Sequence, residues 1–359
     1  MSSDLKRAKN ALDSIIKKSR IHLYKPIQIA EILHVVRTNH DLKVDLANLE
    51  SYRTRSNQWR DAVCIQFLGR VSTSSAKFQD NIFEENAMPP HLLSILGVEN
   101  NTNNGIVEAY IYRAFEDKYK QLDNALNYCL TSTKQNFKLE NFLDQFWLQP
   151  GLKRSLDKIF EIVVYSLFEV LTTSINVKVD IYYDIAKSDI LNEFSEFADK
   201  VLNLTASENR KTLDAHFHRV GVTNAADRGL DMFANFGSVV QIKHLSLDKE
   251  LAENIVTSIT ANKIIIVCKS VEEPVINSLL NQIGWQSRIQ SIITIDDLIN
   301  WYNKALTGRY SKLLGELVIS TLSEEIKNEF PSVGNNDFQE FKTNRGYHLL
   351  KNSYWAIEP

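Results

Sequence analysis

Residues 220–244 read VGVTNAADRGLDMFANFGSVVQIKH, and the reading of this stretch decides the fold. Apolar and polar residues alternate in two short runs around Gly237, as expected of a β-hairpin. On the second strand Val239, Gln241 and Lys243 share one face, while Val240, Ile242 and His244 share the other. With the turn centred on Gly237, Asp231 is predicted to lie opposite Lys243. A carboxylate, an amide and an ammonium then converge on an otherwise apolar sheet, where unpartnered polar groups are costly.

Those residue types suit one chemistry. Cutting a phosphodiester calls for a hard cation that offsets charge on the phosphate and lowers the pKa of an attacking water, and oxygen donors suit Mg²⁺. Asp231 is the charged ligand, Gln241 and the backbone carbonyl of Ile242 are neutral ones, and Lys243 can orient the water or offset developing charge. The set is one charge short of a two-carboxylate site. Glu161 can supply it, because it sits inside IFEIVVYSLF (residues 159–168), where a lone ionised carboxylate is expensive. Such a group either meets a cation in a polar cavity or has its pKa raised and stays neutral. Glu169, at the end of the run, is a weaker rival.

The bland reading of Asp231 and Lys243 is a cross-strand salt bridge, worth about 0.2–1 kcal/mol at a surface. It leaves Gln241 and Glu161 unexplained. Asp227 is a rival ligand that reads better as a turn residue with Asn224 and Gly229. His216 and His218 share a face but lack a third ligand at zinc spacing. His244 falls on the opposite face from Lys243 and reads as a packed or hydrogen-bonded histidine, not a catalyst.

A buried helix with an internal Glu, then Asp, then (Glu/Gln)-x-Lys on a hairpin resembles the PD-(D/E)XK nuclease superfamily, with Glu161, Asp231, Gln241 and Lys243 at the matching positions. The chain departs from that pattern twice. Gly229-Leu230 precede the Asp where Pro is often found, and Gln241 replaces an acidic residue. Three longer segments, KKSRIHLYKPIQIAEIL (17–33), GRVSTSSAKFQDNIFEENAMPP (69–90) and residues 220–245, resemble the HaeII family of type II restriction endonucleases. That resemblance spans most of the chain. It implies Mg²⁺-dependent cleavage of double-stranded DNA at a short palindrome, RGCGCY for that family, and a cognate DNA methyltransferase as functional partner.

The 359 residues suffice for a large core, and the formal charge of −3 argues against a uniformly basic nucleic-acid binder. Charge is nonetheless uneven: residues 1–70 hold 13 Lys and Arg against 7 Asp and Glu. Any DNA-facing surface must therefore be local, and the N-terminal part is the natural place for it. Cys64, Cys129 and Cys268 lack a paired spacing and read as reduced thiols of a cytoplasmic protein. The charged start has no signal-peptide core, and no apolar run approaches the ~20 residues of a membrane span. The phosphate-binding motifs G-x-x-x-x-G-K-[ST] and G-x-G-x-x-G and the nucleophile elbow G-x-S-x-G are missing from the sequence, which disfavours nucleotide-driven and serine-nucleophile mechanisms.

Helices are predicted over residues 5–19, 27–36 and 46–67, a helix-turn-helix-like order. The third carries Arg53, Arg55, Asn57, Gln58 and Arg60, of which Arg53, Asn57 and Arg60 share a face able to reach bases or phosphates; a solvated face is the alternative. Residues 72–105 read as a loop-rich connector, and Arg70, Ser72, Thr73, Ser74, Lys77 and Gln79 are further DNA-contact candidates. Helices resume over 106–130 and 139–147.

Pro150-Gly151 marks a boundary, giving a mainly helical N-terminal lobe (1–150), a catalytic core (151–310) and a C-terminal extension (311–359) of obscure role. The core reads as the Glu161 helix, a strand at 177–183, a polar helical stretch, the hairpin, then helix 247–260, strand 263–268, helix 271–283, strand 289–295 and helix 296–305. The fold class is α/β, a mixed sheet flanked by helices. A palindromic target calls for a homodimer, with apolar surfaces after Ile283 or over 106–115 as candidate interfaces. The competing readings are a non-catalytic DNA-binding protein and a repair or structure-selective nuclease on the same core.

Overall fold

A computed structural model describes residues 3–19, 22–72, 81–148, 152, 155–220, 230–272, 275, 288–330, 336–350 and 352–356. Its centre is a five-stranded mixed sheet. Strands β3 (Phe217–Arg219), β4 (Met232–Ala234) and β5 (Ser238–Ile242) pair antiparallel, and β7 (Lys263–Cys268) and β9 (Ile289–Thr294) continue in parallel, in the order β3-β4-β5-β7-β9. The run KIIIVC of β7 is apolar without alternation because this strand is buried on both faces.

Sheet side chains divide between two apolar clusters. Val240, Ile242, Ile265 and Val267 join the main core, while Ile264, Ile266 and Cys268 join a smaller one beneath the helix α9 (Lys249–Ser258). On the main-core side lies α7 (Leu156–Ile175), whose residues 159–164 are all buried. A helix apolar almost all round belongs inside a protein, and α7 contacts β3 and β5. It ends at Asn176, whose φ of +59° is a left-handed conformation that Asn tolerates.

The N-terminal helices α1 (Ser3–Lys18), α2 (Tyr24–Thr38), α3 (Arg53–Leu68), α4 (Pro90–Thr102) and α5 (Ile106–Thr131) pack around α2 and α5. The main apolar core runs unbroken from Ala8 in α1 through the sheet to Trp355. The tail adds α10 (Ile295–Thr307), α11 (Ser311–Glu329) and α12 (Asn336–Asn344), with α11 laid against α7 and α5. Beyond residue 308 the chain is thus more regular than the predicted single helix and irregular end. The tail is also anchored by charge: Arg345 makes a two-pronged ion pair with Glu31 of α2 at 2.6 and 2.9 Å.

Several expectations need correction. The strand at 177–183 forms β1 (Lys178–Tyr182), but it pairs with β2 (Arg210–Asp214) in a separate two-stranded ladder and not in the core sheet. The face with Lys178, Asp180 and Tyr182 has too little apolar surface for burial in the sheet. Residues 72–105 contain α4, because Pro90 stands in the first turn, where its missing N–H costs nothing. The third helix begins at Arg53 and not 46, after a turn in which Asn48 accepts the Glu50 N–H. The helix expected from 247 begins at Lys249, capped by Asp248, since Ser246 and Leu247 pair with Ser270 and Val271. Val271 is therefore strand, and the rest of the helix predicted over 271–283 lies largely outside the described residues. Within positions 106–115, Ile106, Val107, Ala109, Ile111 and Phe115 are buried within the chain; after Ile283, Leu298 and Tyr302 of α10 are buried too, whereas Leu313 and Leu317 of α11 are exposed.

Candidate active site

The hairpin forms, with a register two residues away from the expected one. The Gly237 N–H donates to the Ala234 carbonyl at 3.0 Å, and Gly237 adopts a φ of +101°. Residues 235–237 make the loop, with Gly in the last, left-handed position as a three-residue connection requires. Met232 then faces Val240 and Phe233 faces Val239, which places Asp231 opposite Gln241 and not Lys243. A shift of two preserves the alternation, so Asp231, Gln241 and Lys243 keep a common side.

Asp231 and Gln241 are bonded directly: the Gln241 amide nitrogen donates to Asp231 Oδ2, which also accepts the Ile242 N–H at 2.7 Å. Gln241 is buried, and Lys243 is half-buried with its N–H on the Val267 carbonyl at 2.8 Å. Burial raises the Asp231 pKa above the ordinary carboxylate value; the Ile242 N–H and the charges of Lys243 and Lys158 oppose the rise, and Asp157 adds to it.

Glu161 comes to the same place from α7. Burial and the nearby Asp231 charge push its pKa up to about 7, against the pull of Lys158. Lys158 was not anticipated. Its ammonium grips both Glu161 oxygens, at 2.6 and 2.9 Å. The signal was available in the sequence, since residues three apart on a helix are neighbours. Arg219 on β3 also acts on Glu161; its guanidinium is held by Glu325 at 2.7 Å and Glu329 at 2.9 Å, both on α11.

A carboxyl whose folded pKa exceeds its ordinary value near 4.5 makes the fold lose stability as pH rises from about 4.5 through about 7, because the unfolded chain gives up its proton first. Glu161→Gln removes that loss. Its melting temperature, read without divalent cations, is expected to exceed that of the parent at pH 8 and to meet it near pH 4.5; a parallel offset at every pH contradicts this account.

The rival residues have other duties. Glu169 binds His216 Nδ1 at 2.6 Å and the Phe217 N–H at 2.8 Å, tying α7 to β3. His244 is paired with Asp157. No group of three or more His, Cys, Asp or Glu placed to hold a metal exists among the described residues. Asp227, Asn224 and Gly229 lie outside them.

Of the DNA-contact candidates, Arg53, Arg55 and Gln58 are exposed on α3. Arg60 is not on that surface: it is buried against α2, bonded to Asp61 at 2.6 Å, Gln28 at 3.1 Å and Asn57 at 3.1 Å. Its face is the one that packs, so it holds Asn57 and not DNA. Arg70 donates to the Glu329 carbonyl at 2.8 Å and contacts His22, while Ser72 is half-buried. Thr73, Ser74, Lys77 and Gln79 lie outside the described residues. All three cysteines are free and buried, and burial raises their thiol pKa values. No described helix is long and apolar enough to cross a membrane.

Asp231 is thus bonded to Gln241 and Glu161 to Lys158, with the charges of Lys158 and Lys243 acting on Asp231. Residues 8–347 match the HaeII restriction endonuclease family. Two relatives align along nearly the whole chain. Type II restriction enzyme HaeII of Haemophilus aegyptius is 53% identical over 346 residues, covering 96% of this chain and 98% of that protein. Type II restriction enzyme NgoBI of Neisseria gonorrhoeae is 53% identical over 350 residues, covering 97% and 99%. No solved structure matches.

Proposed function

The chain belongs to the HaeII restriction endonuclease family, and from that premise we propose that Glu161, Asp231, Gln241 and Lys243 form a PD-(D/E)XK-type centre that hydrolyses double-stranded DNA with Mg²⁺. The observation that supports this reading is a buried carboxyl, Glu161, with the half-buried carboxyl of Asp231 near enough for its charge to act on it at the open end of the hairpin. Burying two like charges together is unfavourable without a cation, and their oxygens are the donors Mg²⁺ prefers. The residues fit that ion with one adjustment. Gln241 presents its nitrogen to Asp231, so its amide must turn over to offer oxygen.

Asp231 and Glu161 would hold the ion, with the Gln241 amide and the Ile242 carbonyl as neutral ligands. When bound, Mg²⁺ supplies charge neutralisation at the phosphate and a lowered pKa for water. Lys243, on the same side of the hairpin, orients the attacking water and offsets negative charge growing on the phosphate. Lys158 keeps Glu161 in place. Exposed Arg53, Arg55 and Gln58, with Ser72, Thr73, Ser74, Lys77 and Gln79, remain the proposed DNA contacts; the cationic excess of residues 1–70 favours this.

The proposed target is the palindrome RGCGCY, cut by a homodimer in the cytoplasm of a cell that protects the same site with a methyltransferase. Purified protein incubated with plasmid duplex is expected to give discrete fragments with Mg²⁺ and none with excess EDTA, and sequencing the ends should return RGCGCY at every cut. Cutting without a fixed sequence would point to a structure-selective nuclease, and tight binding without cutting would remove the catalytic reading. Cation binding also has a readout of its own. Mg²⁺ without DNA should raise the melting temperature of the parent and not of Asp231→Asn.

A further inference from the structure

We propose that Lys269, carried on the ring of Trp147, is a contact for a DNA backbone phosphate beside the hairpin carboxylates. This rests on the nuclease reading and adds to it a piece of duplex-facing surface outside residues 53–79. Strands β5 and β7 are parallel neighbours, and each is followed at once by a lysine: SVVQI runs into Lys243 and KIIIVC into Lys269. In open α/β sheets ligands bind in the crevice beyond the carboxyl ends of the strands. Backbone bonds hold the two lysines at that edge. The Lys243 N–H donates to the Val267 carbonyl at 2.8 Å, and the Lys269 N–H donates to the Leu245 carbonyl at 3.0 Å. Adjacent strands lie about 4.8 Å apart, so Lys269 stands one strand away from the lysine proposed to act on the scissile phosphate.

Lys269 is exposed and has no ion pair among the described residues. Its ammonium lies over the half-buried ring of Trp147, near the end of α6 (Leu139–Leu148), at 5.2 Å from the ring centre. The carboxylates that reach this edge are committed elsewhere. Asp157 is paired with His244, and Asp297 accepts the Thr294 N–H and hydroxyl, each at 2.8 Å, in the cap of α10. A lysine free in water loses rotamer freedom when it binds an anion; a ring under the ammonium restrains the stem beforehand and leaves N–H donors for that anion.

Position and charge choose the occupant. Two lysines on adjacent strands, one of them at the cleavage centre, suit an anion that repeats along a line. DNA supplies it, with a phosphate for every 3.4 Å or so of rise along each strand. The contact carries no sequence information; it fixes how the duplex lies over Asp231 and Glu161.

The test reads binding and requires no cleavage. Anisotropy of a short labelled duplex in EDTA gives the dissociation constant over a range of salt. One phosphate contact contributes about 0.9 to the slope of log affinity against log salt, so Lys269→Gln is expected to flatten that slope by ~0.9 and to weaken binding about tenfold. Lys269→Arg keeps the charge and should restore both. Trp147→Leu also leaves the charge in place, so the slope should hold while affinity falls about threefold. Lys263→Gln, exposed at the opposite end of β7, should match the parent. In the parent itself, duplex should shield Lys269 from acetylation by a soluble anhydride and leave Lys263 reactive, a readout that depends on no variant folding. A Lys269→Gln protein with the parent's slope, a Lys263→Gln protein with the same loss, or Lys269 acetylated equally with and without duplex overturns the proposal, as does Trp147→Leu at the parent's affinity or a parent that binds no duplex. Binding through Lys269 without any cutting in Mg²⁺ would remove the nuclease reading and leave this contact standing; cutting by a parent whose Lys269→Gln variant keeps its slope would do the reverse.

Discussion

Asp231→Asn is expected to abolish cleavage, lowering the rate by at least ~10³-fold, while duplex binding and the melting temperature hold or rise. The two halves of this outcome have one cause. Asp231 is a desolvated carboxylate with a raised pKa, so its ionised form is unfavourable to the folded chain, and an amide of the same shape removes that cost. The Ile242 N–H loses nothing, because Asn offers an oxygen in the same place. In the proposed centre catalysis would depend on the charge that folding disfavours, and several kcal/mol of transition-state stabilisation by a cation would disappear with its main ligand. Lys243→Ala should fall by ~10²–10³-fold for loss of the neighbouring positive charge. Rates come from single-turnover cleavage of a short duplex and binding from fluorescence anisotropy. An Asp231→Asn enzyme within tenfold of the parent would dismiss this site.

Glu108→Ala is expected to cost about 3–5 kcal/mol, the largest stability loss from one substitution that the described contacts suggest. Glu108 is fully buried on α5 and accepts from Arg37 at 2.8 and 2.9 Å, His34 at 3.0 Å, Asn100 at 2.6 Å and Tyr347 at 2.5 Å. One carboxylate thus joins α2, α4, α5 and the C-terminal tail, and its removal strands Arg37 without a countercharge. Burial alone would raise its pKa; the bonds from Arg37, His34, Asn100 and Tyr347 more than reverse that and hold it at about 2. The stability it gives is full above the ordinary value near 4.5 and is lost as pH falls toward 2. Urea unfolding at pH 7 should show the loss, and Glu108→Gln should flatten the acid side of the stability profile. A Glu108→Ala midpoint equal to the parent's would mean that the bonds gathered on Glu108 add nothing to stability.

Local rules made much of the core legible. Alternation marked the hairpin and its faces, and a polar residue in an apolar run marked Glu161. Each signal depends on neighbours a few residues apart. The turn was misplaced by a detail of that same scale: Gly237 closes the loop and does not centre it, so Asp231 meets Gln241. Whether a charged side chain faces outward depends on what another element places over it. Arg60 reads as a surface arginine until α2 covers it, and Arg70 reads as a phosphate contact until the end of α11 reaches it.

The sequence by itself determined the mixed sheet, the buried acid of α7 and the three polar residues of the hairpin, because strand and helix periods and the cost of burying charge are properties of short stretches. Only the tertiary structure decided that Arg219 attends Glu161, that Arg345 and Tyr347 lock onto α2 and α5, and that residues 175–214 stand outside the five-stranded sheet. Those outcomes rest on contacts between positions far apart in the chain, where packing and not local preference selects the partner.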